Sequence, residues 1–287
     1  MASPSTILFR FIAILLALAT VGIHADVLSA KRVMENIQNP LLQVNTSKGA
    51  IFIELLPQEA PNNVANFIAL AEGEVEILDT NTETVFQPHY FDGMRFHRVV
   101  PGFLIQAGSP LHNLLGAPQQ ILTDEINAEA LGLANQIALH ADGSFNILLN
   151  IGNKLDFQNE ILKPLYNEMN IKTESELRDR QYEVLEKLNG LSVKEVYEYQ
   201  GFRYTTNHPT RAISRGTVAL ANQGPNTNGP EFFISLNDAP WLTGRNTVIG
   251  RVIEGMEIVD AIGEHSIDPL RSSQSSTIIH SIRRVNQ

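Results

Sequence analysis

Phe96-His97-Arg98-Val99-Val100-Pro101-Gly102-Phe103-Leu104-Ile105-Gln106 is the stretch on which the reading of this chain turns. Two β-prone runs, 94–100 and 104–107, flank a Pro-Gly turn and set aromatic side chains beside one guanidinium and one amide. The segment from Ala221-Asn222 through Phe232-Phe233 to Trp241-Leu242 repeats that mixture. Neither stretch holds a credible nucleophile, a metal cluster or a phosphate loop. Such residues grip a peptide; they do not break a bond.

Outward from these stretches the pattern stays β-rich at both ends. Residues 42–46 and 50–55 read as a hairpin turning at Ser47-Lys48-Gly49. Pro61 opens a helix with Val64, Phe67, Ile68 and Ala71 on one face, closed by Gly73. Residues 74–89 read as polar and irregular. β-Prone runs resume at 217–221, 231–236, 247–252 and 277–285, with a helix over 256–262. The centre has a helical pattern instead. Thr173-Glu174-Ser175-Glu176 and Ser192-Val193-Lys194-Glu195 are capping boxes, and Leu177, Val184, Leu185 and Leu188 recur at helical spacing up to Asn189-Gly190. More helical turns are expected around 160–169.

Arg10 is the sole charged side chain in residues 1–25, and 11–23 is almost wholly apolar before Ile23-His24-Ala25. This reads as an export signal cleaved before Asp26, too short for a membrane span of about 20 residues. The expected location is periplasmic, with secretion as the alternative, and no stable membrane association after cleavage. The chain has no cysteine, so neither disulfides nor thiolate metal sites contribute. Formal charge is −10, with basic residues scattered, which removes the electrostatic footprint of nucleic-acid binding. His89, His112, His140, His208, His265 and His280 show no metal-ligand spacing.

Written as strings, F-H-R-V-V-P-G-F-L-I-Q-A-G and A-N-Q-G-P-N-T-N-G-P-E-F-F-I resemble the cyclophilins, the peptidyl-prolyl cis/trans isomerases. Ala60-Pro61-Asn62-Asn63-Val64-Ala65-Asn66-Phe67 is similar to the family's first helix. Gly250-Arg251-Val252-Ile253-Glu254-Gly255-Met256 is similar to its closing strand-to-helix passage. The resemblance covers about 41–109 and 211–287. It implies a mainly β fold: a closed eight-stranded antiparallel barrel capped by two helices. Domain 26–287 would then be interrupted by a mostly helical insertion at about 128–208, beside the binding groove. It also implies a monomeric enzyme without cofactor or metal, acting on X–Pro bonds in unfolded polypeptides and so assisting folding.

The chemistry follows from the bond. Rotation about X–Pro breaks amide resonance, against a barrier of about 18–20 kcal/mol. The twisted prolyl nitrogen pyramidalises and gains a lone pair. A guanidinium aimed there stabilises the twisted state above both planar ones. By resemblance Arg98 is that donor. Phe103, Leu104, Phe233 and Leu242 match the proline pocket, and Trp241 matches its rim. Gln106 and Asn222 match the residues that hydrogen-bond the peptide, and Ala221 matches the small residue beside its backbone. His97 matches a structural histidine.

Several departures bear on activity, among them Ala107 and Ser109 in place of glycine and aspartate after the first motif. Leu104 replaces a frequent methionine, a volume-conserving change. Asn246 replaces a histidine near the rim. Glu231 replaces a glutamine, so a group that donates and accepts becomes one that only accepts. It would remove a contact to substrate or Arg98, or pair with Arg98 directly. Two other functional classes stay open: a proline-peptide-binding chaperone with weak or no catalysis, and an interaction protein working through the insert.

Overall fold

The computed structural model describes residues 26–79, 83–113, 116, 118, 120–267 and 276–285. The expected leader, 1–25, lies outside the described residues. A short helix absent from the sequence reading comes first: α1 (Val27–Val33), started by the Asp26 carboxylate, which accepts from the Ser29 amide at 2.8 Å.

The expected hairpin forms as β1 (Leu41–Thr46) and β2 (Gly49–Leu55). β2 is buried on both faces. Ile51, Ile53 and Leu55 enter the main core, while Phe52 packs with Leu41 and Ala30 under α1. On that outer face the fully buried Glu54 accepts from the Glu35 and Asn36 amides at 3.0 Å, from Asn39 Nδ2 at 2.8 Å and from Arg251 at 2.9 Å. A buried carboxylate is tolerable only when so fully bonded.

Pro61 starts α2 (Pro61–Glu72), and Gly73 ends it in the left-handed region at φ +75°. Residues 74–89 are not wholly irregular as expected; they carry a small hairpin, β3 (Ile77–Asp79) with β4 (Thr84–Phe86). The run expected as one strand over 94–100 is divided: Arg95 bridges Ile278, and β5 (Arg98–Val100) pairs with β6 (Leu104–Ala107).

The centre, 128–204, has a core of its own, built on Leu133, Leu149, Leu165, Leu191, Val196 and Tyr197 among others. Here α3 (Lys154–Asp156) runs through a π-helical turn (Phe157–Leu162) into α4 (Lys163–Glu168). Pro164 has no N–H to offer the Glu160 carbonyl four residues back, and Gln200 Nε2 donates to that oxygen at 2.7 Å. Then come α5 (Glu174–Asp179), α6 (Gln181–Asn189) and α7 (Val193–Tyr199), with both capping boxes formed. The helical spacing that ran through Leu177 and Leu188 is broken at Arg180, whose guanidinium donates to the Met169 carbonyl and to Glu183. Leu185 faces outward, 51% exposed, against the expectation that it shares the apolar face. Thr173→Ala should lower stability of this unit by about 1 kcal/mol, the usual loss for a cap. Chemical denaturation followed by far-UV circular dichroism measures it.

β7 (Thr217–Leu220), β8 (Phe232–Ser235), β9 (Val248–Glu254), α8 (Met256–Gly263) and β10 (Ile279–Arg284) are the remaining strands and helix among the described residues. Eight strands form one antiparallel sheet in the order β10-β1-β2-β9-β7-β8-β6-β5. Register shifts at Asn45/Thr46, Phe52/Ile53 and Val218/Ala219 curl it, as bulges do. Where β10 begins, Gly93 N donates to Ile279 O at 2.8 Å, Ile279 N to Met94 O at 2.7 Å and Phe96 N to Thr277 O at 3.1 Å. The concave side is filled by inward residues of the strands with Val64, Phe67 and Leu70 of α2 and Val259 and Ile262 of α8. At its centre Phe232 meets Phe67, Phe91 and Phe96 with ring centroids 5.2, 5.6 and 6.5 Å apart, all edge-on. Among the described residues no helix is long and apolar enough to cross a membrane.

Candidate active site

Strand alternation sends every second side chain of β5, β6, β8 and β7 away from this core. Val99, Ile105, Ile234 and Val218 point in. Their neighbours form a row on the opposite face: Arg98 lies across from Gln106, Gln106 from Phe233, and Phe233 from Ala219. Leu104 sits two residues along from Gln106 on that same face.

Apolar residues gather at this row. Leu104 and Phe233 are buried, at 3% and 2% exposure, with Ala219 and Val248; Phe103, Ala221, Trp241 and Leu242 pack against them half-buried. The Phe103 and Trp241 rings lie 5.6 Å apart at 41°. Six residues singled out from sequence, drawn from four separate segments, thus meet in one patch. Ala219 and Val248 were missed. Their only signal was alternation along β7 and β9.

The polar side of the patch is a chain of hydrogen bonds. Arg98 Nη1 donates to Gln106 Oε1 at 2.8 Å, and Gln106 Nε2 donates to Glu231 Oε1 at 2.6 Å. His97 Nε2 meets the same Glu231 oxygen at 2.9 Å. An ionised carboxylate only accepts, so it pins the Gln106 amide with nitrogen toward itself and oxygen toward Arg98. Direct pairing of Glu231 with Arg98, one of the outcomes expected from sequence, does not occur; Gln106 stands between them. Burial pushes the Glu231 carboxyl up, but hydrogen bonds from His97, Gln106 and Ser109 and the charge of His97 outweigh it, leaving the pKa below the ordinary 4.5. His97 stacks on His112 at 4.6 Å, and its Nδ1 is buried without a partner. Burial and His97 together hold the His112 imidazole below its usual range, while Glu231 pulls the other way.

Two amides named from sequence serve the scaffold. Asn222 Nδ2 donates to the Arg245 carbonyl at 2.8 Å, and Asn246 Nδ2 to the Leu220 carbonyl at 2.9 Å. The loop between β7 and β8 is held by acids the sequence reading passed over. Asp124 and Asn226 exchange two bonds, Asp124 N to Asn226 Oδ1 at 3.0 Å and Asn226 N to Asp124 Oδ2 at 2.7 Å. Glu125 accepts from the amides and side chains of Asn62 and Asn63 at the start of α2. Asn228 Nδ2 reaches Thr247 Oγ1 at 3.0 Å.

The helical unit props the segment that carries Trp241 and Leu242. Tyr204 Oη donates to the Gly244 carbonyl at 3.0 Å. Gly244 itself sits at φ +84°, a backbone that strains other residues, and an added Cβ would press on Leu133 Cδ1 of the helical unit at 2.7 Å. Among the described residues no group of three or more His, Asp or Glu is placed to hold a metal ion.

The arrangement offers one guanidinium, oriented by a neutral amide, beside an apolar patch. Comparison with known proteins agrees with that chemistry. The family model described as cyclophilin type peptidyl-prolyl cis-trans isomerase/CLD matches residues 41–284. Peptidyl-prolyl cis-trans isomerase B of Streptomyces anulatus is 27% identical over 228 residues, 79% of this chain and 85% of that protein. The probable peptidyl-prolyl cis-trans isomerase A of Mycobacterium leprae is 25% identical over 248 residues, covering 86% and 92%. A cyclophilin-type isomerase crystal structure from Cryptosporidium parvum shows a looser overall likeness, with TM-score 0.48 at 18% identity over 87% of this chain and 99% of its own. With its sheet, its patch and most of its length inside the matched span, the chain belongs to the cyclophilin-type peptidyl-prolyl cis-trans isomerase family.

Proposed function

We propose that this chain catalyses X–Pro rotation in unfolded polypeptides, with Arg98 as the catalytic donor to the prolyl nitrogen. Phe103, Leu104, Phe233 and Leu242 hold the proline ring under the Trp241 rim, and Ala221 leaves room for the peptide backbone. The observation that carries this reading is the Arg98–Gln106–Glu231 chain beside the apolar patch. It fixes a cation where a lone pair develops, and preorganised charge of that kind favours the twisted state. A protease-coupled assay on an X–Pro tetrapeptide tests it. Absence of acceleration by folded protein overturns it in favour of a non-catalytic proline-peptide binder.

Glu231 sets the acid limit of this activity. Its depressed pKa contributes stability above the unfolded carboxylate's pKa, and that contribution fades as pH falls through the lower folded value. Isomerisation should therefore hold steady through pH 5 and decline only below the ordinary value of 4.5. Glu231→Gln should change the rate at pH 7.5 by no more than about threefold, because its oxygen still accepts from Gln106. That variant should lack the acid decline. Rates measured alongside circular dichroism at each pH separate this from unfolding; an identical decline in both proteins would contradict it.

We infer in addition that the curled sheet closes into a barrel capped by α2 and α8, supported by the bonds joining 93–96 to 277–279. Residues 128–208 are read as a helical insertion into domain 26–287, supported by their separate core. The mature protein is exported, begins at or near Asp26, works as a monomer without a cofactor, and assists folding. N-terminal sequencing from the native host checks the export reading; an intact 1–25 would contradict it.

A further inference from the structure

A cleft of about 370 Å³ opens where the helical unit faces the loop after β7. Lys163, Glu160, Phe202, Pro225 and Arg245 are among its walls. In a chain of formal charge −10, it collects two cations against one carboxylate.

Neither cation is well compensated. The Arg245 guanidinium lies over the rings of Tyr197 and Phe202, 5.6 and 5.8 Å from their centroids. Its carboxylate partner, Glu160 Oε2, forms only a long ion pair at 3.5 Å. Lys163 Nζ donates to the neutral Asn159 Oδ1 at 2.8 Å, and among the described residues no carboxylate pairs with it. The stacked rings hold Arg245 in place while leaving its edge donors underused.

The cleft also adjoins the proline patch. The Arg245 carbonyl accepts from Asn222 Nδ2 at 2.8 Å, and Gly224 N donates to Asn222 Oδ1 at 3.4 Å. Asn222 therefore ties together two stretches of the cleft wall, and it directly follows Ala221 of the patch.

We propose that this cleft is a second substrate subsite, in which Arg245 and Lys163 receive an acidic side chain of the polypeptide whose X–Pro bond occupies the Phe233 patch. The assignment rests on the isomerase reading for that patch. The cleft is open, so a free carboxylate would gain little from pairs that water screens. A carboxylate carried on an already seated peptide meets the cations at high effective concentration. Glu160 competes for Arg245 and tempers the preference.

The test is a set of alanine-based X–Pro peptides in which one Glu, Gln or Lys is walked through the positions on both sides of the proline. Exchange spectroscopy gives kcat/KM, and calorimetry gives the affinity of each peptide. At one position Glu should exceed Gln by about fivefold at low salt, Lys should fall below Gln, and the ratio should shrink toward one in high salt. Lys163→Glu, at an exposed site, should abolish or reverse the Glu/Gln ratio, whereas Glu160→Gln should raise it. Opposite shifts from two single variants cannot come from loss of fold. A ratio near one at every position, with normal turnover, sinks the subsite alone, as does a ratio that neither variant moves. A charge-dependent affinity without turnover of any peptide would keep the subsite and sink the isomerase reading.

Discussion

Arg98→Ala should lower kcat/KM on an X–Pro tetrapeptide by at least about 100-fold, roughly 2.7 kcal/mol of transition-state stabilisation. The side chain is half-buried on the outward face of β5, so truncation leaves the core untouched. What disappears is the donor that Gln106 holds at 2.8 Å. The loss belongs in kcat, because the guanidinium meets a developed lone pair only in the twisted state. Arg98→Lys should not restore the rate: a point charge cannot both bond Gln106 and present a second donor from one rigid plane. Circular dichroism and the unfolding midpoint should match the parent protein. A near-normal rate in the folded variant would remove Arg98 from the mechanism.

Phe232→Ala should cost about 3–5 kcal/mol of stability, the range for emptying a large buried aromatic site. Phe232 is wholly buried, and three other aromatic rings lean edge-on against it from α2 and from the segment before β5. Those rings are held by different elements, so they cannot collapse together to fill the space. Denaturant unfolding measures the effect, and a loss under about 1 kcal/mol would contradict this account of the core. Phe233, one residue on, is almost as buried, but it faces the patch instead. Its truncation should therefore weaken peptide binding in addition to stability.

Much of this was legible locally. Pro61, Gly73 and the two capping boxes act over three or four residues, within reach of sequence spacing alone. The apolar patch was legible for a different reason: the segments that carry its residues resemble those of the cyclophilins. Elsewhere the local signal misled. Helical spacing continued through Arg180, yet its guanidinium bonds the Met169 carbonyl eleven residues back and the helix breaks there. The α1 segment carried a cap at Asp26 but no long apolar repeat, because its buried face is only Ala30 against β2.

By itself the sequence determined the eight strands' approximate places and the guanidinium set among aromatics; the assignment of those residues to a site came from the resemblance to the cyclophilins. The strand places and that grouping follow from backbone periodicity and from side chains only a few residues apart. The tertiary structure alone decided what Glu231 does. The carboxylate reaches Gln106 across 125 residues and His97 across 134, and whether it paired with Arg98 or steadied it depended on one intervening amide. It also decided that Asn222 and Asn246 brace the wall of the patch, and that Glu160 and Lys163 face Arg245 across a cleft. No spacing rule encodes such pairings, because each depends on how a curled sheet and a separately cored helical unit dock, and that is set by packing over the whole chain.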